Sequence, residues 1–458
     1  MKLKVEAKLD KNYQPLALVC RAMREATKEN GQDVIIAVVR NNDYTTTYKT
    51  RVFPEGSGHD EENYRFIERL TKTLLWASGG YKIVIAGCDS VGDRLKEAYA
   101  VGGAREFDVK MMERVYEKPF EVVICALADA PTDKSSAAPV GRHLDGCRIG
   151  FDAGGSDRKV SAVINGESVY SEEVVWFPKT NADPDYHYQG ILEAMKTAAS
   201  HMPRVDAIGI SSAGIYVDNL IKIASLFIKV SDEDFENKVK TMYVDVAKEI
   251  GGSIPVEVAN DGDVTALAGA MDLDDNAVLG IAMGTSEAGG YVDAQGNITG
   301  WLNELAFVPV DYYEGAMEDE WSGDVGCGVK YFSQDGVIKL APAAGIELDE
   351  ALSPAEKLKV VQSLMEQGDE RAAAIYDTIG AYFGYAIAYY AEFYDIRHVL
   401  IMGRVTSGEG GVILLERAQE VLDKEFPTLA QKIKLHIPDE SSRRVGQSVA
   451  AASLPKLR

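Results

Sequence analysis

The sequence predicts a layered α/β fold, and three observations predict it. Strand-like and helix-like stretches alternate along the chain, the pattern of sheets covered by helices. Several of the strand runs end in glycine-bearing turns, where such sheets place their ligand sites. The chain has 458 residues, 46% hydrophobic and 26% charged, which is a globular composition with length for two or three domains.

The elements follow in order. Val34–Val39 is an apolar run that predicts a buried strand, and Tyr44–Phe53, rich in Thr and Tyr, predicts its hairpin partner. Phe66, Leu70 and Leu74 fall at helical spacing. Lys82–Ala86 and Glu121–Cys125 predict two more strands. Residues 1–130 therefore read as an N-terminal α/β domain. Residues 131–147 read as a linker, because Ala130–Pro139 is small, polar and bears proline. A second α/β region spans 148–458. Its predicted strands are 148–153, 159–164, 168–177, 206–212, 278–283 and 398–402, and its predicted helices 186–202, 263–271 and 370–393. In the last of these, Ile375, Ile379, Phe383, Ile387 and Tyr390 make one apolar stripe.

A faint internal similarity joins the two regions. Strand, turn, strand, helix and strand run from Val34 to Gly87 and again from Lys159 to Gly209. The second strand ends in Val-Phe-Pro54 in one and Trp-Phe-Pro178 in the other. From Pro to Gly is 33 positions in the first and 31 in the second. The first copy is either a degenerate duplicate of the second or a chance likeness of two α/β segments. Its turn, Arg40-Asn-Asn-Asp43, lacks a glycine pair.

The formal net charge of -23 argues against unaided binding to nucleic acid or to an anionic membrane. The five cysteines are widely spaced and form no Cys-x-x-Cys pair, as in a reducing compartment. The N-terminal stretch has no apolar signal core, and no run approaches the roughly 20 apolar residues of a membrane span. A soluble cytoplasmic protein is the expectation.

Five motifs carry candidate chemistry. Asp152-Ala-Gly-Gly-Ser156 is a glycine turn after a strand; consecutive amides there cradle phosphate, and an Asp at a strand end holds hydrated Mg²⁺. Gly284-Thr-Ser-Glu-Ala-Gly-Gly290 also follows a strand and adds the hydroxyls of Thr285 and Ser286. Two such loops suit the phosphates of a nucleotide better than either alone. Asn260-Asp261 stands where an apolar stretch meets a helix start, as a cap or as a carboxylate that accepts a proton in phosphoryl transfer. Asn303-Glu304 offers hydrogen bonds to sugar hydroxyls. Gly403 ends a strand and gives a turn that suits an adenosine pocket. The six histidines show no metal spacing.

Read in order, these motifs resemble the ROK family of sugar kinases and repressors, in the actin-like ATPase superfamily. The resemblance covers about residues 148–458. It implies a two-lobed actin-like ATPase (ribonuclease H-like) fold preceded by an extra α/β domain. It places Asp261 as the catalytic base, Asp152 beside Mg²⁺ through water, and Gly154, Gly155, Ser156, Gly284, Thr285 and Ser286 on the phosphates of ATP. Gly403 would border adenosine; Gly214, Asn260, Asp261 and Glu304 would face the sugar. The family's zinc element is broken. Phe307 takes the place of its histidine, and only Gly326-Cys327 remains of its cysteine run, so no zinc is expected. Arg404 stands where a glycine is usual.

The resulting expectation is an ATP- and Mg²⁺-dependent sugar kinase, with small-molecule partners, no nucleic acid and no membrane, and a homodimer as candidate assembly. Its rivals are a non-catalytic sugar or nucleotide sensor on the same fold, and an actin-like ATPase with a protein partner bound through residues 1–130.

Overall fold

The computed structural model describes residues 2–135, 140–438 and 440–457. The chain divides into two compact units. The first comprises Met1–Ser135, Ile281–Gly289 and Trp301–Ile437; the second comprises Ser136–Gly280, Gly290–Gly300 and Pro438–Arg458. The segment expected as a linker includes residues 136–139, which lie outside the described residues.

In the first unit, β1 (Gln32–Val39), β2 (Thr45–Val52), β3 (Lys82–Ala86) and β4 (Glu121–Cys125) form a sheet in the order β2-β1-β3-β4. β1 runs antiparallel to both β2 and β3, and β3 parallel to β4. Val34, Ile36, Ala37 and Val38 are buried, which explains the unbroken apolar run of a central strand. β2 is the edge, and its Thr, Lys and Arg residues suit one. The turn from β1 is made without glycine, by Asn42 and Asp43 in the left-handed region. The helix Asp60–Ser78 follows, with Asp60, Glu61 and Glu62 in its first turn where the helix dipole favours acids. It buries Phe66, Leu70 and Leu74, as their spacing predicts. Lys134 returns to pair with Thr45 beside β2.

In the second unit, β5 (Cys147–Ala153), β6 (Asp157–Ile164), β7 (Glu167–Val175), β8 (Ala207–Ser212) and β11 (Val256–Asn260) form a sheet ordered β11-β8-β5-β6-β7; β9 (Ile215–Val217) and β10 (Leu220–Ile223) make a separate hairpin. β5 is parallel to β8 and antiparallel to β6; β8 is parallel to β11; β6 is antiparallel to β7. All seven residues of β5 are buried. One face packs on the helix Glu440–Ala452. The glycines Gly150 and Gly209 permit this, since a Cβ on Gly209 would lie 2.6 Å from the carbonyl carbon of Ala451. The core of this unit includes Ile191, Met195, Tyr243 and Val246.

The remaining strands, β12 (Val278–Met283), β13 (Glu287–Val292), β14 (His398–Met402) and β15 (Lys434–His436), are ordered β13-β12-β14-β15. The stripe predicted over 370–393 is buried on the helix Glu370–Tyr390, which ends three residues early. The predicted strand 168–177 ends at Val175; Trp176 turns its amide to the carbonyl of Ser156, and Pro178 starts a short 3₁₀ turn. The helix expected from 186 begins at Pro184, capped by the Asp183 carboxylate. Among the described residues, no helix is long and apolar enough to cross a membrane.

Candidate functional site

The second unit gathers one set of candidate residues at the ends of β5, β8 and β11. Asp152 sits near the end of β5 and is buried. Ser211 on β8 donates its hydroxyl to Asp152 Oδ1 at 2.7 Å. Burial raises the Asp152 carboxyl to about 6, and the nearby Asp261 charge adds to the rise. The turn Gly154-Gly155-Ser156 follows. The Gly154 carbonyl accepts from Trp176 Nε1 at 2.8 Å, which fixes the loop from β7. Gly155 and Ser156 are exposed, and the Ser156 hydroxyl donates to Asp157 Oδ2 at 3.4 Å. A Cβ on Gly155 would meet Lys179 Nζ at 3.1 Å, so an ammonium stands directly at this turn.

Asn260 ends β11 and caps the helix Asp261–Asp272; its Oδ1 accepts from the Gly262 amide at 2.7 Å. Its Nδ2 donates to the carbonyl of Gly214 at 2.7 Å. Gly214 has φ 138°, and a Cβ there would meet the Ala224 Cβ at 2.8 Å. The cap role and the site role expected of Asn260 therefore coincide: one side chain starts the helix and ties it to the Gly214 turn. Asp261 is half-buried in the first helical turn. Burial raises its carboxyl above the usual value; the Gly262 amide and the charge of Lys179 pull it back. Gln447 lies within 3.5 Å of Asp152 Oδ1, Ser211 Oγ and the Asp261 carbonyl. Asp152, Gly154, Gly155, Ser156, Gly214, Asn260 and Asp261 are thus one cluster.

The first unit gathers the others. Gly284 to Ser286 joins β12 to β13. The Gly284 carbonyl accepts from the Gln334 amide at 2.9 Å. Thr285 and Ser286 are exposed, and Arg404 Nη2 donates to Thr285 Oγ1 at 3.0 Å. Gly403, with φ 100°, lies against the end of β12; a Cβ there would be 2.7 Å from the Met283 amide. The two glycine turns, 119 positions apart, are therefore neighbours, and Arg404 links them. Gln362 donates to the Arg404 carbonyl at 2.7 Å. Beside it is a cavity of about 210 Å³ lined by Met365, Glu366, Tyr376, Gly408 and Glu409 among others.

Glu304 lies elsewhere in the same unit, next to Asn303, whose φ is 52°. Glu287, at the start of β13, is buried and raised to about 8 by burial, with the Glu304 charge contributing. Phe307 packs its ring 4.3 Å from that of Trp76. Cys327 is buried, which pushes its thiol up to about 12.

Sequence reasoning missed Lys179, Ser211, Gln447 and Glu287. Only Glu287, a charged residue inside a glycine loop, offered a local signal.

Among the described residues, no group of three or more His, Cys, Asp or Glu is placed to hold a metal ion. A hydrated Mg²⁺ that leans on substrate phosphates needs only one or two carboxylates. Buried Asp152 beside an open glycine turn fits that requirement.

The five-stranded sheet of β5 to β11, with glycine turns at its strand ends, is the α/β architecture of the actin-like ATPases. The chain belongs to the ROK family, which matches it over residues 148–449. A ROK transcriptional regulator homologous to the E. coli MLC protein is 18% identical, with a TM-score of 0.50 over 68% of this chain and 79% of that one. The ROK hexokinase of Thermus thermophilus is 17% identical, with a TM-score of 0.49 over 66% of this chain and 97% of that one. A ROK glucokinase from Streptomyces griseus, solved with glucose and AMPPNP, is 18% identical, with a TM-score of 0.45 over 66% and 98%. No curated protein matches the chain by sequence.

Proposed function

We propose that this protein transfers a phosphoryl group from ATP to a hydroxyl of a sugar or sugar derivative. The observation that carries this reading is the Asp152–Asp261 pair in the second unit. Two carboxylates share one cluster, and burial raises both, Asp152 to about 6. A base is most effective when its pKa approaches the working pH. Asp261 also sits on a capped helix start, which fixes its geometry.

Asp261 takes the proton of the attacking hydroxyl. Asn260 and Gly214 hold the backbone that presents it, and Glu304 accepts hydrogen bonds from the sugar. The amides of Gly154 and Gly155, with the Ser156 hydroxyl, bind phosphate oxygens, and the Lys179 ammonium neutralises charge beside them. Gly284, Thr285 and Ser286 supply the second set of phosphate donors, and Gly403 borders the adenosine. Asp152 is the residue that would hold Mg²⁺, and the ion would supply charge neutralisation on the phosphates. Phosphoryl transfer needs little covalent help, so positioning and electrostatics account for the rate.

One feature favours a second reading, a non-catalytic sugar or nucleotide sensor. Phe307, where the resemblance places a sugar-contacting histidine, is engaged by Trp76 instead. Measuring ADP release from ATP-Mg²⁺ separates the readings. Stimulation by D-glucose, D-mannose or N-acetyl-D-mannosamine is the result expected of a kinase. Sugar binding without turnover identifies the sensor, and sugar-independent turnover identifies an ATPase.

A further inference from the structure

The segment that carries Glu304 is held by a helix outside the ROK-matching region. The Asn303 amide donates to the Ala77 carbonyl at 2.9 Å, and the Glu304 amide to the Trp76 carbonyl at 3.1 Å. Both carbonyls belong to the last turn of the helix Asp60–Ser78. A helix leaves its last four carbonyls without intrahelical partners. Here two of those acceptors are used by the site segment. Gly79 ends the helix at φ 79°, and a Cβ on it would lie 2.6 Å from Leu302 Cγ, so the close approach depends on glycine.

Two more contacts fix the same segment. Trp76 is fully buried and forms a three-ring cluster with Phe107 and Phe307, at centroid distances of 6.0 Å and 4.3 Å. Its Nε1 donates to Asp108 at 2.8 Å. Asn303 adopts a left-handed conformation that few residues other than glycine take. Its Oδ1 accepts from the Tyr394 hydroxyl at 3.0 Å. The Asn303–Glu304 turn is therefore pinned by a helix end and by Tyr394.

The same helix holds the far end of this stretch. Arg69 and Lys72, two turns and one turn before Trp76, pair with buried Asp324 at 3.0 and 2.7 Å. Arg105 joins at 3.0 Å. Glu68 and Asp108 balance the remaining charge, as buried ions require. One helix thus anchors both ends of residues 303–324.

We propose that the helix Asp60–Ser78 is a built-in brace that sets the orientation of Glu304, and that Trp76 is a positioning residue for the acceptor. The proposal rests on the reading of Glu304 as an acceptor ligand. Its test uses the full chain. In Trp76→Ala, hydrogen exchange of the ligand-free protein should speed about tenfold over residues 302–308, with Met283–Gly289 unchanged. With ATP-Mg²⁺ and D-glucose, D-mannose or N-acetyl-D-mannosamine, its acceptor KM should rise about tenfold while the KM for ATP holds. Trp76→Phe should restore most of both. Unchanged exchange over 302–308, or the two KM values moving together, would overturn the brace. Where Trp76→Ala does not fold, Phe307→Leu removes from the segment the ring that Trp76 packs against. It should raise exchange and acceptor KM, and no change in either overturns the proposal. Where none of the three sugars is turned over, the exchange pattern decides. Glu304→Gln separates the two failures. An unchanged acceptor KM there removes both the ligand role and the brace; a raised KM there beside an unaffected Trp76→Ala removes the brace alone.

Discussion

The sheet of residues 32–125 and the sheet of residues 147–260 share an order, with one strand of difference. In the second, β7-β6-β5-β8-β11 runs antiparallel from β7 to β5 and parallel from β5 to β11. In the first, β2-β1 matches β7-β6 and β3-β4 matches β8-β11 in direction, and β1 pairs directly with β3. A helix joins the second strand of the hairpin to the next strand in both. The strand without a counterpart is β5, which carries Asp152 and leads into Gly154-Gly155. The other strand ends differ as well. β8 and β11 finish in Ser211, Ser212 and Asn260; β3 and β4 finish in Ala86 and Cys125. The same strand order thus occurs once with polar candidate residues at its strand ends and once with apolar residues there. Strand order is therefore shared by the two sheets, and what sets the candidate site apart is one additional strand and a few polar termini. The N-terminal sheet, on this account, contributes through the helix that follows its hairpin.

Substitutions can break or sharpen that contrast. The largest effect is expected at the strand found in only one sheet. Asp152→Ala should lower kcat about 10²–10³-fold by removing charge organisation at the phosphates, whereas Cys125→Ala at the end of β4 should leave kcat unchanged. Steady-state kinetics of the pair decides it, and equal effects would erase the distinction.

Glu304→Gln should come next, raising the acceptor KM about tenfold with little change in the KM for ATP, as loss of a charge-assisted hydrogen bond implies.

A smaller effect belongs to stability. Glu287 is raised to about 8 in the folded chain, above its unfolded value of about 4.5. The folded state therefore holds the proton more tightly. Stability falls as pH rises from about 4.5 to about 8, and the penalty is fully present above that window. Glu287→Gln removes the penalty. Its melting temperature should gain on the parent by a few degrees between pH 5 and pH 8.5, on the order of a few kcal/mol in linkage. A constant difference across that range would contradict the assignment.

The smallest effect is at Lys179. Removing its charge from the vicinity of Asp261 should raise that carboxyl further, because the ammonium now lowers it. Lys179→Met should shift the acid limb of the kcat/KM profile upward by a few tenths of a pH unit, the scale of an exposed charge.

What the sequence discloses follows from how local each signal is. Glycine turns after apolar runs are local, so Gly154-Gly155, Gly284 and Gly403 stand out, and the structure sets Gly284 beside Gly403. Asn260 and Asp261 are legible for the same reason, since a cap announces a helix start. The stripe of Ile375 to Ile387 follows from helical period alone. Lys179, Ser211 and Gln447 reach the Asp152–Asp261 cluster from three distant stretches, and only the sheet order and the helix Glu440–Ala452 bring them there. The link from Trp76 to Glu304 spans more than two hundred residues and rests on two backbone hydrogen bonds, which leave no side-chain pattern. Phe307 reads in sequence as the loss of a histidine; in the structure it is also one ring of the cluster formed with Trp76 and Phe107.

The central claim is that Asp261 accepts a proton during transfer to a sugar hydroxyl. The most direct test measures sugar-stimulated ADP release from ATP-Mg²⁺ by the wild type and by Asp261→Asn, with circular dichroism to verify the fold. The wild type should turn over, and the variant should lose about 10²–10⁴-fold while keeping its thermal unfolding. Undiminished turnover in a folded Asp261→Asn protein would contradict it.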